Sequence, residues 1–510
     1  MSKSGKEFSF DDISCGDLQG IVNEIEFDDL DNTSELLLFL LEGVVDGKAS
    51  SIDIFSALEI LRPAVMNLFE INFVVYCDDQ IPFSNEQLKV VSVNLGLLDL
   101  LRKGYLIKVR TLLEMEDNGS AEMIQATKRY FYISGLFLME CFRVYMVPPE
   151  GVWLDINSLF SDACDLGIET AHLKDDKSGC GSELSIKQSY LRIVLMFMFN
   201  PFHLLRNEVE RLFDRCGRWA SFVKVSKGEG REGFFSALEE DRGPFYITEI
   251  TDDLRETSIY IDIDGMVKIL DNQILSISTE IERLDRDNIA SQKNELGMYK
   301  RLRAALRPRL QRGSERVPVF QQLNVTEGIR QGYAAFGGIG EHQVITEDDS
   351  DNMLSDLSDA VIWNQDNESE EGIALSCTYP AQMPVDVGRI IFFNSENSDS
   401  WSVGGVRWLR SFPDGGAEFG VKVFSASGVA ARVAEGERSS LAVMVPDVDP
   451  FKSAATLLIE RNIFEVGAVV VVNMAEHSIA VKLMGMIEVT EFYERYSMIA
   501  LHEINQSSLG

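Results

Sequence analysis

Residues 311–316 read Gln311-Arg312-Gly313-Ser314-Glu315-Arg316 and lead directly into Val317-Pro318-Val319-Phe320-Gln321-Gln322-Leu323-Asn324-Val325. The first stretch is a charged, glycine-containing loop. The second is rich in β-branched and aromatic residues, the composition of a strand. Beyond Pro308 the same composition recurs in Gly388 to Phe393, Val403 to Leu409 and Glu418 to Phe424, and again in Leu441 to Val445, Val466 to Met474, Ser478 to Met484 and Tyr496 to Leu501. Gly, Ser, Asn and Asp separate these runs, so the last third of the chain reads as short antiparallel strands, enough for one or two small barrels.

Upstream the pattern is different. Apolar residues recur at helical spacing in Leu37, Leu38, Leu40, Leu41 and Val45, then in Leu58 to Phe73, Leu88 to Leu113, Ile124 to Val147 and Tyr190 to Phe213. Pro148-Pro149 ends one of these helices, and Pro201 with His203 restarts another, because proline lacks an amide and clashes with the preceding turn. No fixed period marks a repeat array. The polar run Asp175 to Glu183 reads as an exposed loop. Phe245 to Ile250 and Ser258 to Ile263 look like strands, and apolar positions from Ile269 to Leu302 then predict a connector helix or half of a helical hairpin. A dimerising coiled coil, and with it a homodimer, is the alternative for that segment. The expected fold class is therefore α+β and multidomain: helical over 1–225, short strands and a long helix over 226–307, a first β-barrel over 308–432 with an acidic insertion at 330–366, and a second β domain over 433–510.

Charge narrows the partners. The 510 residues carry 81 Asp and Glu against 47 Lys and Arg, a net charge of −34. Such a balance disfavours nucleic acid and anionic lipid, whose affinity comes from basic side chains. The seven cysteines are dispersed without a Cys-x-x-Cys pair, which suggests neither a disulfide framework nor a zinc site, and no apolar run is long enough to cross a bilayer. A soluble, cytoplasmic protein is expected. Five scattered histidines form no hydrolase or metal constellation, so neither catalytic nor metal-ligating residues are predicted.

One island departs from the acidic whole. Lys300, Arg301, Arg303, Arg307, Arg309, Arg312 and Arg316 face only Glu315, a local +6. Guanidinium forks bind phosphate or the O6/N7 edge of guanine bidentately and stack on bases. The earlier members of the island also suit a plainer role, offsetting acids on neighbouring elements.

Arg312 and Arg316, in an Arg-x-x-x-Arg spacing before a strand, are followed by Asn367-Glu368-Ser369-Glu370-Glu371-Gly372 at the start of another. Together they resemble the two-part signature of the PilZ family of cyclic-di-GMP receptors, Arg-x-x-x-Arg and then Asp/Asn-x-Ser-x-x-Gly. Gly404-Gly405-Val406-Arg407-Trp408 and Phe419-Gly420-Val421-Lys422-Val423 resemble the later paired strands of PilZ barrels. The resemblance covers Leu310 to Ala431. Less specifically, the helical region resembles the N-terminal part of larger proteobacterial proteins that end in a PilZ domain.

The resemblance implies a non-enzymatic effector without cofactor. Cyclic-di-GMP would be held by Arg312, Arg316, Asn367, Ser369 and Gly372, and its binding would alter how the helical region engages a protein partner. Two features depart from the family pattern. The arginine doublet that often opens the motif is Gln311-Arg312, and ten acids without a base lie between Glu347 and Glu371, next to the site of a dianion. A PilZ-like scaffold or adaptor that has lost its ligand is the alternative.

Overall fold

The computed structural model describes the chain apart from residues 1–9, 11–12, 49–51, 78–80, 173–183, 228–232, 247–253, 255, 282, 284–285, 307–315, 339–359, 379–382, 396–397, 399, 447–454, 476 and 505–510, and apart from the side chains of 286–290 and 502–504. An N-terminal helical region comprises α1 (Cys15–Asn23), α2 (Leu30–Val45), α3 (Ile54–Val74), α4 (Asn85–Glu114), α5 (Ala121–Arg143), α6 (Val152–Asp165), α7 (Ile186–Met198) and α8 (Arg206–Trp219). Local chemistry sets their starts. Ser14, Asp29, Asp53, Ser84, Ser120 and Ser185 each accept a backbone N–H of the first turn, and Ser84 with Gln87 and Ser185 with Gln188 form capping boxes. The run Tyr190 to Phe213 is two helices, split by a single 3-10 turn at Pro201–His203. The strongly amphipathic α8 buries Val209, Leu212, Phe213 and Cys216 against α5 and α7.

A small antiparallel sheet follows, in the order β1 (Lys224–Lys227), β4 (Ser258–Asp262), β2 (Phe234–Ala237), β3 (Phe245–Tyr246). The long apolar pattern after it is a hairpin of α9 (Asp264–Ile281) and α10 (Arg286–Ala305). α10 ties two regions together. Its Glu295 and Arg301 pair with Arg215 and Glu208 of the helical region, while Lys293 reaches the buried Glu494 at 3.3 Å and Asn294 accepts from Arg461 at 2.6 Å.

Two closed six-stranded antiparallel barrels complete the chain, in agreement with the expected fold class. The first has the order β10 (Ala417–Ser425), β7 (Gly372–Cys377), β6 (Val361–Ser369), β5 (Val317–Glu327), β8 (Ile390–Ser395), β9 (Ser402–Ser411). The second has the order β11 (Val429–Glu435), β12 (Arg438–Val445), β13 (Thr456–Ile459), β16 (Glu494–Ile504), β15 (Ser478–Val489), β14 (Val469–Asn473). Between β5 and β6 stands a short helix, α11 (Ile329–Ala335), so the span 330–366 includes this helix and the first residues of β6. Most of the acidic run lies outside the described residues.

The first barrel shares a core with the helical region. Tyr76, Ile81, Phe83, Val91 and Val144 to Met146 form one cluster with Leu323, Trp363, Leu375, Leu409 and Phe419. Backbone bonds cross the same boundary: Val385 N–H to Ile81 O at 2.7 Å and Ser411 N–H to Tyr145 O at 3.0 Å. Beneath it runs a fully buried polar chain. Tyr76 donates to Glu140 at 2.5 Å, Arg143 pairs with the same carboxylate, and Arg206 donates to the carbonyls of Arg143 and Tyr76. Glu140 and Arg143 offset each other's charge, and carbonyl oxygens meet the Arg206 guanidinium, as burial demands. The two barrels meet through a second shared cluster, in which Phe392, Val403 and Phe424 pack on Val443, Val445, Leu458 and Tyr493. Arg407 is paired bidentately with Glu488 there.

Candidate functional site

Strand register assembles one outer face of the first barrel. β5 pairs with β6 so that Val317 opposes Glu368 and Pro318 opposes Asn367. Arg316, one residue before Val317, therefore stands at the rim beside the β6–β7 turn. Across that turn Ser369 opposes Gly372, and Gly372 in turn opposes Lys422 of β10. A parallel row runs Pro318, Asn367, Ala374, Gly420, Trp408 across five strands. The next row carries Asn364, Ser376, Glu418 and Arg410.

The sequence-predicted residues fall as follows. Arg312 lies outside the described residues. Arg316 is exposed, and Asn367, Ser369 and Gly372 are half-buried. The Asn-x-Ser-x-x-Gly stretch does not open a strand, as the sequence suggested. Asn367 to Ser369 close β6, Glu370-Glu371 make the turn, and Gly372 opens β7. A two-residue turn is the shortest link between antiparallel strands, so the motif straddles a tight hairpin at the barrel rim.

Ser369 Oγ donates to the Gly372 carbonyl at 3.1 Å and staples that hairpin. The amide of Asn367 has no hydrogen-bond partner among the described residues. The glycine at 372 is required by the barrel itself: a β-carbon there would stand 2.3 Å from the Val421 carbonyl oxygen of the neighbouring strand. Gly420 serves the aromatic at the far end of the row. Its missing side chain lets the Trp408 indole lie on the backbone, where a β-carbon would come within 1.9 Å of the indole nitrogen.

Electrostatics on this face are mixed. Arg316, Lys422 and Arg410 bring positive charge, while Asp366, Glu368 and Glu418 oppose it. Burial pushes the Glu418 carboxyl above its usual range and Asp366 adds to the shift, while Arg410 and Arg316 pull it back. Asp366 is held by the Ser376 hydroxyl at 2.9 Å. Arg410 stands 3.9 Å from Glu418, with its guanidinium 5.6 Å from the Trp408 ring and 5.8 Å from the ring of Phe202 in the helical region. Guanidinium, ammonium, amide, hydroxyl and indole groups on a flat surface suit a ligand that has anionic groups and planar rings.

Sequence reading did not single out Trp408, Arg410 and Lys422 as site residues. The signal that reaches them is strand alternation combined with register, and the register is fixed only once the hairpin turns are placed. Two of the earlier members of the basic island are engaged elsewhere: Arg301 pairs with the buried Glu208, and Arg303 with Asp271 at 2.7 Å, while Arg307 and Arg309 lie outside the described residues.

A cavity of about 740 Å³ opens where the helical region, α10 and both barrels meet, with Leu204, Leu296, Val406 and Ile487 in its wall. Three of its cations, Lys293, Arg301 and Arg407, are engaged with Glu494, Glu208 and Glu488. This hollow is an apolar seam stapled by internal ion pairs.

Residues 16–230 match a family model described as the N-terminal domain of the cyclic-di-GMP receptor FimW, a span that covers the helical region and runs on past β1. That part of the chain is similar to the FimW N-terminal domain. A curated relative, the cyclic-di-GMP receptor FimW of Pseudomonas aeruginosa (strain PAO1), is 19% identical over 404 residues. The alignment covers 66% of this chain and 66% of that FimW, more than the helical region alone could supply. The FimW-like helical region and the first barrel are the two bodies that share the core around Tyr76 and Trp363.

Proposed function

We propose that this protein is a cyclic-di-GMP-binding effector whose ligand sits on the outer face of the first barrel. Arg312 and Arg316 clamp phosphate and guanine, Asn367 and Ser369 offer an amide and a hydroxyl to a guanine edge, and Gly372 keeps the hairpin tight against β10. The observation that carries the reading is the register of β5 on β6. It sets Arg316 beside Asn367 and Ser369, although about fifty residues separate them in sequence. The similarity to FimW, a cyclic-di-GMP receptor, supports the same ligand.

Ligand binding is transmitted as a change in protein–protein interaction by the helical region. Arg410, between Trp408 and Phe202, is the contact that supports such coupling. A binding role without catalysis, a protein partner and a cytoplasmic setting belong to the same reading. Among the described residues, no helix is long and apolar enough to cross a membrane.

Calorimetric titration of the full chain with cyclic-di-GMP tests it. Binding is expected, with Arg316→Ala weaker by about tenfold to a hundredfold. No heat at about 100 μM ligand overturns the reading in favour of a scaffold with a silent barrel. Unchanged affinity in Arg316→Ala overturns the residue assignment.

A further inference from the structure

Phe320 is 90% exposed, the most exposed of the large apolar side chains described. Its position has a structural cause. The pairing of β5 with β6 is irregular between Pro318 and Gln321: Val319 and Phe320 face the single residue Asp366 across the ladder. Such a bulge re-aims the side chains it contains. C-terminal to it the strand is anchored. Gln321 donates to the buried Gln365 at 2.7 Å, and Leu323 is buried in the core. Alternation from Leu323 puts Phe320 on the outer face, the face that bears Asn367 and Ser369.

We infer that Phe320 is a stacking platform for one guanine of the dinucleotide. Its residue-and-strand address fits that task. Pro318, two positions away, opposes Asn367, so the ring is about 7 Å along the strand from the amide that would read a base edge. Arg316 lies on the same strand end. A base laid on the Phe320 ring would thus have a π-face beneath it, an amide at its edge and a guanidinium near its phosphate, whereas Trp408 stands at the opposite end of the Asn367 row. Base–aromatic stacking is worth about tenfold or more in affinity per base when the ring is truncated to alanine.

This inference rests on the cyclic-di-GMP reading above, and one titration series separates the two. Wild type, Phe320→Ala, Phe320→Leu and Phe320→Tyr are titrated with cyclic-di-GMP as full-length proteins, with thermal melts run alongside. The expected pattern is wild-type-like binding by Phe320→Tyr, a loss of about tenfold in both Phe320→Ala and Phe320→Leu, and unchanged melting throughout, since the ring is packed on nothing it could destabilise. Binding by wild type with equal affinity in Phe320→Ala overturns the platform and leaves the site standing. Retained affinity in Phe320→Leu would assign the effect to apolar cover and overturn stacking. Absence of binding by wild type overturns the site and the platform together.

Discussion

Gly372 shows how a motif residue can answer to the barrel before it answers to any ligand. The Val421 carbonyl, 2.3 Å from where a β-carbon would sit, belongs to backbone and cannot rotate away. Gly372→Ala should therefore separate β7 from β10 and cost about 1–3 kcal/mol in urea denaturation, with or without ligand. Glu418 acts in the opposite sense. Its carboxyl is raised chiefly by burial, so as pH falls it takes up its proton before an ordinary glutamate does, and the face loses a negative charge. Affinity for a dianion should then increase on acidification from neutral pH. Glu418→Gln should reproduce the gain at pH 7, by about threefold at low salt, and should flatten this part of the pH profile in titrations.

At the scale of elements, the seam between barrels depends on β9 and β15. Burial pushes the Glu488 carboxyl up, yet the hydrogen bonds and charge of Arg407 leave it below its usual value. A carboxyl lowered in the folded state contributes stability above the unfolded-state range and loses it as pH falls through the folded value, so the seam should weaken below about pH 4. Arg407→Met removes the hydrogen-bonded partner of a mostly buried carboxylate, at a cost of about 3 kcal/mol near neutrality. In that variant the charge of Arg495 still opposes burial but without the Arg407 hydrogen bonds, and mild acid should lower the melting temperature less than it lowers that of wild type. Helices were legible in the sequence because each presents one buried face: Leu58, Leu61, Val65 and Leu68 on α3 repeat at the helical period. β6 was obscured because its inward residues Trp363 and Gln365 alternate with Asn364 and Asp366 inside an acidic stretch. The Asn-x-Ser-x-x-Gly motif was legible as residues and misplaced by a few positions, because nothing local marks Glu370-Glu371 as the turn. Trp408, Arg410 and Lys422 share the β9–β10 hairpin, but they join that face only through the pairing of β10 with β7, which no local window fixes.

On the scale of the whole molecule, the helical region and the first barrel do not each own a complete interior. Tyr76, Ile81, Phe83, Val144 and Tyr145 are fully or almost fully buried in one cluster with Leu323, Trp363, Leu409 and Phe419 of the barrel. A protein ending near residue 225 should consequently bind a hydrophobic dye such as ANS and self-associate, whereas the full chain should not. Dye fluorescence and light scattering on the two proteins check this, and a quiet, monomeric fragment would show that the helical region closes by itself. The same cover imposes an order of events during synthesis. Met146 leaves the ribosome about 275 residues ahead of Val421, a lag of roughly 15–55 s at ordinary elongation rates, and for that interval the apolar face of the nascent helices waits for a barrel that does not yet exist.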